Sequence, residues 1–355
     1  MKILDYMEQY NHEQLAFYTD KAVGLRAIIA IHDTTLGPAL GGCRMWKHAT
    51  EEDAILDALR LARGMTYKSA AAGLNFGGGK AVIIGDPTKD KSEALFRAFG
   101  QFVDTLGGRY ITTEDVGTAP GDLEYVATQT AHVVGLSESL GGSGDPSYAT
   151  SVGVYEGIKA SLEEALGDAA LAGKVIAIQG FGKVAHYLAQ HLKEDKVKLI
   201  VTDVNKEKLK QAKEEFNATV VSPEKIFDVP CDVFAPCALG GALNDSTIPR
   251  LRCKIVAGCA NNQLLEDRHA ELLAQRGILY APDYVINAGG VINLSFEMTD
   301  YDEEAALERV RGIGETLKKV YAIAKKEKTN TARAADRLAE ERIAQARKVK
   351  RIYPG

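Results

Sequence analysis

The stretch KVIAIQGFGKVAHYLAQHLKEDKVKLIVTD, residues 174–203, has the pattern of a strand, a glycine turn, a helix and a second strand. Its apolar run VIAIQ has the length of a buried strand, and a glycine-rich turn follows it directly. Further short apolar runs alternate with helical segments downstream, in KLIVTD, CDVFAPCALGG, KIVAGCANNQ and GILYAPDYVINAGG. Such alternation is typical of a doubly wound parallel sheet. The second half of the chain is therefore predicted to be a Rossmann-like α/β domain.

The turn in this stretch has the pattern G-x-G-x-x-A, and Asp203 ends the next strand 23 positions after Gly180. The first glycine permits a tight turn, the second lets the backbone approach a pyrophosphate, and the helix that follows presents its positive N-terminus to the phosphates. Asp203 would accept hydrogen bonds from a ribose and repel a 2′-phosphate, which favours NAD over NADP. The alternative is a glycine turn that binds nothing. The predicted cofactor-binding residues are Gly180, Phe181, Gly182, Lys183, Val184, Ala185, His186 and Asp203.

The first third of the chain mixes the same two patterns. Strands are predicted at 25–33 and 80–86, and helices at 51–64 and 91–108. The tail from about residue 303 is helical and charged, with a break at KTNT. Because the pattern changes near the glycine-rich LGGSGDPS, we expect a catalytic and substrate-binding domain at 1–140, joined by C-terminal helices at 330–355, and an NAD-binding domain at 141–329.

Bulk composition excludes several classes of function. The chain has 355 residues, 46% of them hydrophobic, and a formal net charge of −5, so nothing attracts it to nucleic acid or an anionic membrane. It begins without a signal-peptide pattern, so we expect a cytoplasmic protein. Its five cysteines are scattered without metal-ligand spacing, and no metal site is predicted. We interpret Cys231 and Cys237 as packed small side chains rather than as a redox pair.

Two lysines stand in the otherwise small and apolar stretch GMTYKSAAAGLNFGGGKAVIIGDP, residues 64–87. A buried ammonium needs an anion, so Lys68 and Lys80 must either meet one or extend to water. A P-loop is excluded, because Leu74 stands where its first glycine belongs and Ala81 stands where it needs a hydroxyl. Beside an NAD domain, such lysines point to a substrate that carries a carboxylate.

Several long segments occur in the same order as in one known family. GPALGGCRMW, MTYKSAAAGLNFGGGKAVIIGDP, GRYITTEDVGT, CDVFAPCALGG, ANNQL and YAPDYVINAGGVIN resemble the glutamate/leucine/phenylalanine/valine dehydrogenases. The resemblance implies two α/β domains with a cleft between them. It also implies reversible, NAD-dependent oxidative deamination of an L-amino acid to the 2-oxo acid and ammonia, and assembly into homo-oligomers.

The resemblance also assigns roles to individual residues. It implies that Lys68, helped by Asn261, holds the substrate carboxylate, and that Lys80 is the catalytic lysine with Asp115 as its proton-transfer partner. A base that exchanges protons in this way suits the attack of water on an iminium. Further substrate-binding residues implied are Leu40, Gly41, Gly42, Met65, Thr113, Glu114, Val291 and Leu294; Thr150, Cys237, Ala238 and Asn262 are implied on the cofactor side.

Five positions bear on the side chain of the substrate. Glutamate dehydrogenases have a lysine where this chain has Leu40, so glutamate should be rejected. Thr113 and Leu294 are larger than the alanine and valine usual in relatives that act on leucine, so a compact aliphatic, branched-chain substrate is expected. The cysteine of GGCRM, also frequent in relatives that act on phenylalanine, and the unusual Phe296 point the other way. Phenylalanine or tryptophan therefore stays as the alternative substrate.

A different class of function, a catalytically silent NAD-binding protein, predicts the loss of Lys80 or Asp115, and both are present. The chain ends at RIYPG, earlier than many members of the family, so the size of the expected oligomer stays open.

Overall fold

A computed structural model describes residues 2–299 and 301–349. The described residues form two compact units. The first contains residues 2–145, 294–299 with Tyr301, and 339–349; the second contains residues 146–293 and 302–338. The division after Asp145 lies within the glycine-rich stretch that marked the predicted junction. Residues 294–299 and Tyr301 fall within the range 141–329 expected for the NAD-binding domain, but they group with the first unit.

The first unit is built on a five-stranded mixed sheet. Its order is β1-β2-β4-β3-β5, with β1 and β4 antiparallel to β2, and with β3 parallel to both β4 and β5. The strands are β1 Gln14–Asp20, β2 Leu25–Asp33, β3 Ala39–Trp46, β4 Gly77–Ile84 and β5 Tyr110–Glu114. The helices are α1 Ile3–Tyr10, α2 Glu51–Ala71, α3 Glu93–Asp104 and α4 Pro120–Ala127.

Helices cover both faces of this sheet. Ile28 on β2 packs with residues of α2 on one face, whereas Ile29 packs with residues of α3 on the other. Because successive side chains of a strand alternate between faces, burial on both sides explains why residues 27–31 in the middle of β2 are all apolar. Thr50 caps α2 through a capping box with Asp53, and Ser92 caps α3.

The glycine run at the start of β4 lets other elements approach closely. A Cβ added at Gly78 would lie 2.1 Å from the backbone nitrogen of Thr66 on α2, and one at Gly79 would lie 2.6 Å from the ring of Tyr110. Either substitution would displace backbone or a buried ring. The run FGGG thus sets the distance between β4 and the helix that carries Lys68.

The second unit contains a six-stranded sheet whose paired strands all run parallel, in the order β11-β10-β9-β6-β7-β8. The strand order reverses beside β6, where a doubly wound sheet binds its ligand. The strands are β6 Val175–Gln179, β7 Lys198–Thr202, β8 Thr219–Val220, β9 Val233–Pro236, β10 Ile255–Val256 and β11 Leu279–Tyr280. The helices of the second half of the chain are α5 Ser147–Leu166, α6 Lys183–Glu194, α7 Lys206–Phe216, α8 Arg268–Gln275, α9 Asp283–Ile286, α10 Gly289–Ser295, α11 Glu303–Arg311, α12 Ile313–Glu327 and α13 Thr331–Arg347.

The predicted strand at 25–33 is confirmed, and the predicted two-domain α/β class agrees with the two sheets. The helix predicted at 51–64 is longer than expected, since α2 continues through Gly64 to Ala71 and carries Lys68. The charged tail forms three helices, α11 to α13, rather than two, because α11 ends at Arg311 and Gly312 separates it from α12. The chain end RIYPG lies outside the described residues. No helix in the described ranges is both long and apolar enough to cross a membrane.

A buried histidine joins three elements of the first unit. His32 on β2 is 6% exposed; its Nε2 lies 2.9 Å from the carbonyl oxygen of Tyr10 and its Nδ1 lies 2.8 Å from the hydroxyl of Thr66. Since a carbonyl only accepts, Nε2 carries the proton and Nδ1 accepts from Thr66. Burial, followed by the neighbouring ring of His12, lowers the pKa of His32 to about 4, with smaller opposing effects of Tyr10 and Asp33 and a further lowering by Arg63.

We predict that acid weakens this unit through His32. Between pH 6.5 and 4 the unfolded chain protonates this histidine and the folded chain does not, so stability is full above pH 6.5 and falls as the pH drops toward 4. The expected loss from this group is about 3 kcal/mol, since one pKa unit corresponds to about 1.4 kcal/mol. Urea unfolding of wild type and His32→Gln across this pH range measures it. The variant should show a flatter slope, whereas His132→Gln should keep the wild-type slope; equal slopes for all three would contradict the assignment.

Candidate active site

Lys80 lies in the middle of β4, in the interior of the first unit. Its side chain is 6% exposed, and its ammonium nitrogen is 2.7 Å from Oδ2 of Asp115. Its strand neighbours Gly79 and Ala81 are buried and have no polar side chain. Its Cα partner on β2 is the buried Ala30. Removing one partner of such a pair would leave a buried charge uncompensated, which is strongly destabilising. The sequence-based expectation that Lys80 meets an anion is therefore met by Asp115.

A tight turn directly after β5 holds Asp115 in place. The backbone N–H of Asp115 donates to the hydroxyl of Thr118 at 3.0 Å, and that hydroxyl donates to the carbonyl of Cys43 at 2.8 Å. Gly117 in the same turn has a φ of +86°, and a Cβ there would lie 1.9 Å from the carbonyl oxygen of Met45. The turn is thus fastened to β3 on both sides, and the carboxylate has a fixed position.

A second cation shares this carboxylate, and the sequence analysis did not identify it. Nε of Arg44 on β3 lies 3.0 Å from the same Oδ2 of Asp115, and NH1 lies 2.9 Å from Asp57 on α2. His48 lies 3.2 Å from Asp57. Burial alone would raise the pKa of Asp115, but Lys80 and then Arg44 hold it below its usual value. The sequence feature that could have indicated a cation here is Asp57, a carboxylate among the apolar positions of α2.

The strand register places the predicted substrate residues on one face of the sheet. Leu40 pairs with Gly78 and Ile111, and Gly42 pairs with Thr113. Because alternate residues share a face, Leu40, Gly42 and Thr113 lie on the same side as Lys80, which is the side covered by α2. Cys43 falls on the opposite face and packs into the core beside α3. The cysteine of GGCRM is therefore a core side chain on the far face of the sheet from these residues.

The other predicted substrate residues of this unit are two tightly packed glycines and three half-buried side chains. A Cβ at Gly41 would lie 1.7 Å from the carbonyl oxygen of Gly79, so this glycine allows β3 to pack against β4; a Cβ at Gly42 would lie 2.8 Å from Cβ of Asp115. Met65 and Lys68 are half-buried on α2, and Glu114 is half-buried at the end of β5.

Thr113 and Leu294 approach the same point from two sides. A Cβ built on Gly135 would lie 2.6 Å from Oγ1 of Thr113 and 3.4 Å from Cδ2 of Leu294. Both side chains are at most 8% exposed, and among the described residues no group hydrogen-bonds the buried Oγ1 of Thr113. Glu297 holds this region together, since its carboxylate accepts from the backbone N–H groups of Gly135 at 2.7 Å and Ser143 at 2.8 Å.

The glycine turn after β6 has the features that a dinucleotide needs. Gly180 has a φ of +90°, and a Cβ there would lie 2.7 Å from Cβ of Ala238, so a larger residue would not fit. A Cβ at Gly182 would meet no atom within 4 Å, so the space in front of this glycine is open. Helix α6 then begins at Lys183, and no side chain caps its first turn. Gly182 has no side chain that could cap this helix start, where the N–H groups and the helix dipole favour an anion.

Asp203 lies at the end of β7 and faces this turn. Its Oδ2 accepts from the backbone N–H of Phe181 at 2.6 Å, and its Oδ1 accepts from the N–H of Asn205 at 2.8 Å. Each carboxylate oxygen keeps a further lone pair for a ribose hydroxyl. The structure therefore fits an adenosine ribose at this position.

The side chains of the other predicted cofactor residues differ in their exposure to solvent. The side chain of Phe181 is 2% exposed and Ala185 is 1% exposed, so they pack in the core and only their backbone lies at the turn. Lys183 is exposed, Val184 is half-buried, and His186 pairs with Glu215 at 2.9 Å.

The remaining predicted residues of the second unit lie on α5 and α10 and on the loops after β9 and β10. The hydroxyl of Thr150 donates to the carbonyl of Pro146 at 2.9 Å. Nδ2 of Asn287 donates to Oδ1 of Asn261 at 2.7 Å. Asn262 has a φ of +51°, and its carbonyl accepts from the N–H of Gly241 at 2.7 Å. Val291 is 7% exposed on α10. Asn287, which orients Asn261, is a further residue that the sequence analysis missed.

Comparisons with known proteins agree with this arrangement. Residues 12–132 match the family model described as the Glu/Leu/Phe/Val dehydrogenase dimerisation domain, and residues 141–205 and 195–351 match the Glutamate/Leucine/Phenylalanine/Valine dehydrogenase model. The chain is 58% identical over 353 residues to the leucine dehydrogenase of Thermoactinomyces intermedius, covering 99% of this chain and 96% of the relative. It is also 58% identical over 350 residues to the leucine dehydrogenase of Geobacillus stearothermophilus, covering 99% and 95%.

A solved structure gives the same result. The L-tryptophan dehydrogenase from Nostoc punctiforme superposes with a TM-score of 0.87 at 47% identity, over 98% of this chain and 100% of that one. The family models cover most of the chain, and the relatives match nearly all of it. This chain therefore belongs to the glutamate/leucine/phenylalanine/valine dehydrogenase family.

Proposed function

We propose that this protein is an NAD-dependent dehydrogenase that converts an aliphatic, branched-chain L-amino acid of the size of leucine into its 2-oxo acid, ammonia and NADH. The observation that carries the proposal is the Lys80–Asp115 pair, a buried ammonium 2.7 Å from a carboxylate. The reaction needs such a group to activate water and to move protons. The names of the relatives at 58% identity support a leucine-like substrate.

In this proposal each residue of the first unit has a separate task. Lys80, when neutral, removes a proton from the water that attacks the iminium carbon, and Asp115 passes protons to and from the lysine. Arg44 keeps Asp115 ionised and is itself held by Asp57, so the carboxylate accepts protons only transiently. Lys68 is proposed to bind the α-carboxylate of the substrate, and Asn261 is proposed as a further group for that carboxylate. These contacts orient the Cα–H bond of the substrate.

The proposed cofactor is NAD, which when bound supplies the acceptor for the hydride. The turn at Gly180–Gly182 and the start of α6 would hold its pyrophosphate, and Asp203 would hold its adenosine ribose. A carboxylate at this position repels the extra phosphate of NADP, which is the reason for preferring NAD. Thr150, Cys237, Ala238 and Asn262 are proposed to contact other parts of the same molecule.

The proposed side-chain pocket is apolar and small. Leu40 offers no charge to a glutamate side chain, and a carboxylate buried against it would stay unpaired. Thr113 and Leu294 meet at Gly135, so both would limit the length of the substrate. This crowding favours leucine over phenylalanine, because overpacking costs about 1–3 kcal/mol.

We also propose that the chain forms homo-oligomers through the first unit. The family model that matches residues 12–132 is described as a dimerisation domain. Strand β1 lies at the edge of its sheet, and its Phe17 is 53% exposed. An edge strand with an exposed apolar side chain is a surface that a second copy could cover.

The lysines can be tested separately. Lys80→Ala should lower kcat at least about 100-fold, the usual contribution of a general base, while NAD binding stays unchanged because Lys80 lies outside the cofactor unit. Lys68→Ala should mainly raise KM for the amino acid and also lower kcat, because a misplaced carboxylate misaligns the hydride. Steady-state kinetics and NAD titrations measure both. Lys89→Ala, an exposed lysine of the same unit, serves as the control. If Lys80→Ala keeps more than about a tenth of kcat, the catalytic assignment is wrong.

Asp203 sets the choice of cofactor in this proposal. Asp203→Ala should raise KM for NAD about 10- to 100-fold, as expected for hydrogen bonds to a charged group, and should reduce the preference for NAD over NADP. Glu207→Ala removes a nearby exposed charge and should leave both values unchanged. Equal use of the two cofactors by the wild type would contradict the role of Asp203.

Thr113 should restrict the size of the substrate. For the wild type, kcat/KM should be higher for leucine, valine and isoleucine than for phenylalanine or tryptophan, and Thr113→Gly should shift the ratio toward phenylalanine by about tenfold. Thr112→Ala is the matched control, because this neighbour lies on the opposite face of β5. A wild type that prefers phenylalanine would overturn the pocket argument; an unchanged ratio in Thr113→Gly would show that residue 113 does not face the substrate.

A further inference from the structure

Four of the five cysteines form two facing pairs on neighbouring strands of the second unit. Cys231 and Cys237 flank β9, and Cys253 and Cys259 flank β10. In the ladder Val233 lies opposite Ile255, and the same offset of 22 residues places Cys231 opposite Cys253. The two backbones are also close at the other end, where a Cβ on Gly258 would lie 2.3 Å from the carbonyl oxygen of Pro236, so the residues that follow, Cys259 and Cys237, are neighbours. All four are free thiols. Cys231 and Cys237, which are close in sequence, thus belong to different pairs.

The pair Cys237–Cys259 lies at the carboxyl ends of β9 and β10, on the same edge of the sheet as the Gly180 turn. Ala238, the residue after Cys237, packs against Gly180. A Cβ built on Gly180 would lie 2.7 Å from the Cβ of Ala238. On the other side, Nδ2 of Asn287 donates to the carbonyl of Cys259 at 3.1 Å and to Asn261 at 2.7 Å. The two thiols therefore lie between the proposed phosphate turn and a proposed substrate residue.

The two pairs differ in access to solvent. Cys237 and Cys259 are both half-buried, whereas Cys253 of the other pair is 8% exposed. Both residues of the first pair thus keep some exposure, whereas in the second pair only Cys231, which is also half-buried, does. Neighbouring strands are also about 4.8 Å apart, within the range of Cα separations that a disulfide spans.

The thiols of Cys237 and Cys259 are chemically unequal. Interaction with the Cys259 thiol lowers the pKa of Cys237, and interaction with the Cys237 thiol, followed by burial, raises the pKa of Cys259 well above its usual value. Because the thiolate is the nucleophile, Cys237 would react first and Cys259 would resolve the product.

We propose that Cys237 and Cys259 are a redox-active dithiol, and that a peroxide converts it to a disulfide that weakens cofactor binding. The thiolate of Cys237 attacks one oxygen of hydrogen peroxide, the O–O bond breaks, and a sulfenic acid and hydroxide form. The sulfur of Cys259 then attacks this sulfenic acid, the S–S bond forms, and the S–O bond breaks. The two thiol protons combine with the two hydrogens and two oxygens of the peroxide to give two water molecules, and the dithiol loses two electrons to the peroxide. A soluble dithiol reverses the change.

The packing of the two loops explains why the cofactor site would respond. The N–H of Gly241 donates to the carbonyl of Asn262 at 2.7 Å, and a Cβ at Gly240 would lie 2.9 Å from that same oxygen. A disulfide brings its sulfurs to about 2.05 Å, closer than two thiols in contact. Because the two loops are so closely packed, shortening the distance between the sulfurs must move both backbones. This movement displaces Ala238 and, through its contact, the Gly180 turn.

The test uses the full-length enzyme, reduced and then treated with a small excess of hydrogen peroxide. Trypsin cleavage after lysine and arginine places Cys231 and Cys237 in residues 226–250, Cys253 in residues 253–254 and Cys259 in residues 255–268. A disulfide between the first and third peptides is expected, with a loss of two hydrogen atoms from the intact mass. NAD affinity, measured by direct titration without substrate, should fall about tenfold and recover with dithiothreitol; tenfold corresponds to about 1.4 kcal/mol.

Two matched variants separate the pairs. Cys259→Ser should abolish the disulfide and the change in NAD affinity, whereas Cys253→Ser, at the opposite end of the same strand, should keep both. A disulfide only between Cys231 and Cys253, no disulfide at all, or a Cys237–Cys259 disulfide with unchanged NAD affinity would overturn the inference. The affinity readout depends on the proposed NAD site, but the failure modes differ. A reduced enzyme that binds no NAD refutes the proposed cofactor and with it the predicted weakening, while the peptide map still reports on the dithiol.

Discussion

The first unit is organised around a positive charge in the centre of a sheet. An ammonium on β4 is excluded from water, so a carboxylate must accompany it, and Asp115 does so at 2.7 Å. This requirement extends outward: the turn after β5 must hold Asp115, Gly42 must leave room for it, and Arg44 with Asp57 completes the charge balance. A pair of this kind contributes little net stability, because desolvation offsets the attraction. Its presence is therefore better explained by chemistry than by folding.

The parallel arrangement of β3, β4 and β5 turns this charge pair into a site. Register places Leu40, Gly42, Lys80 and Thr113 on the face covered by α2, the helix that carries Lys68. Close approach at Gly78 fixes the distance between that helix and the sheet. The second unit has a comparable arrangement. The left-handed conformation of Gly180 and the hydrogen bond from the turn to Asp203 define where a dinucleotide fits. In both units, glycines hold backbones close together while a carboxylate provides the polar contact.

Much of this could be predicted from the sequence, because the signals are local. The strand-turn-helix pattern identified the second sheet, the apolar run identified β2, and the motifs identified the family, which the comparisons confirm. Interactions between distant residues could not be predicted in this way. Arg44, Asp57 and His48 meet only after β3 and α2 pack together, and Cys237 meets Cys259 through the pairing of β9 with β10. The extension of α2 past Gly64 was missed because packing at Gly78 outweighs the low helix propensity of one glycine.

The central claim is that the amine of Lys80 itself moves the protons of the reaction, and chemical rescue tests it most directly. Small primary amines from ethylamine to butylamine are added to Lys80→Ala, with leucine and NAD at saturation, and NADH formation is followed. The account predicts that the rate rises in proportion to the concentration of the neutral amine, while the same amines leave Lys68→Ala unimproved. A Lys80→Ala variant that binds both substrates but gains no rate from any amine, or that needs none, would contradict the account.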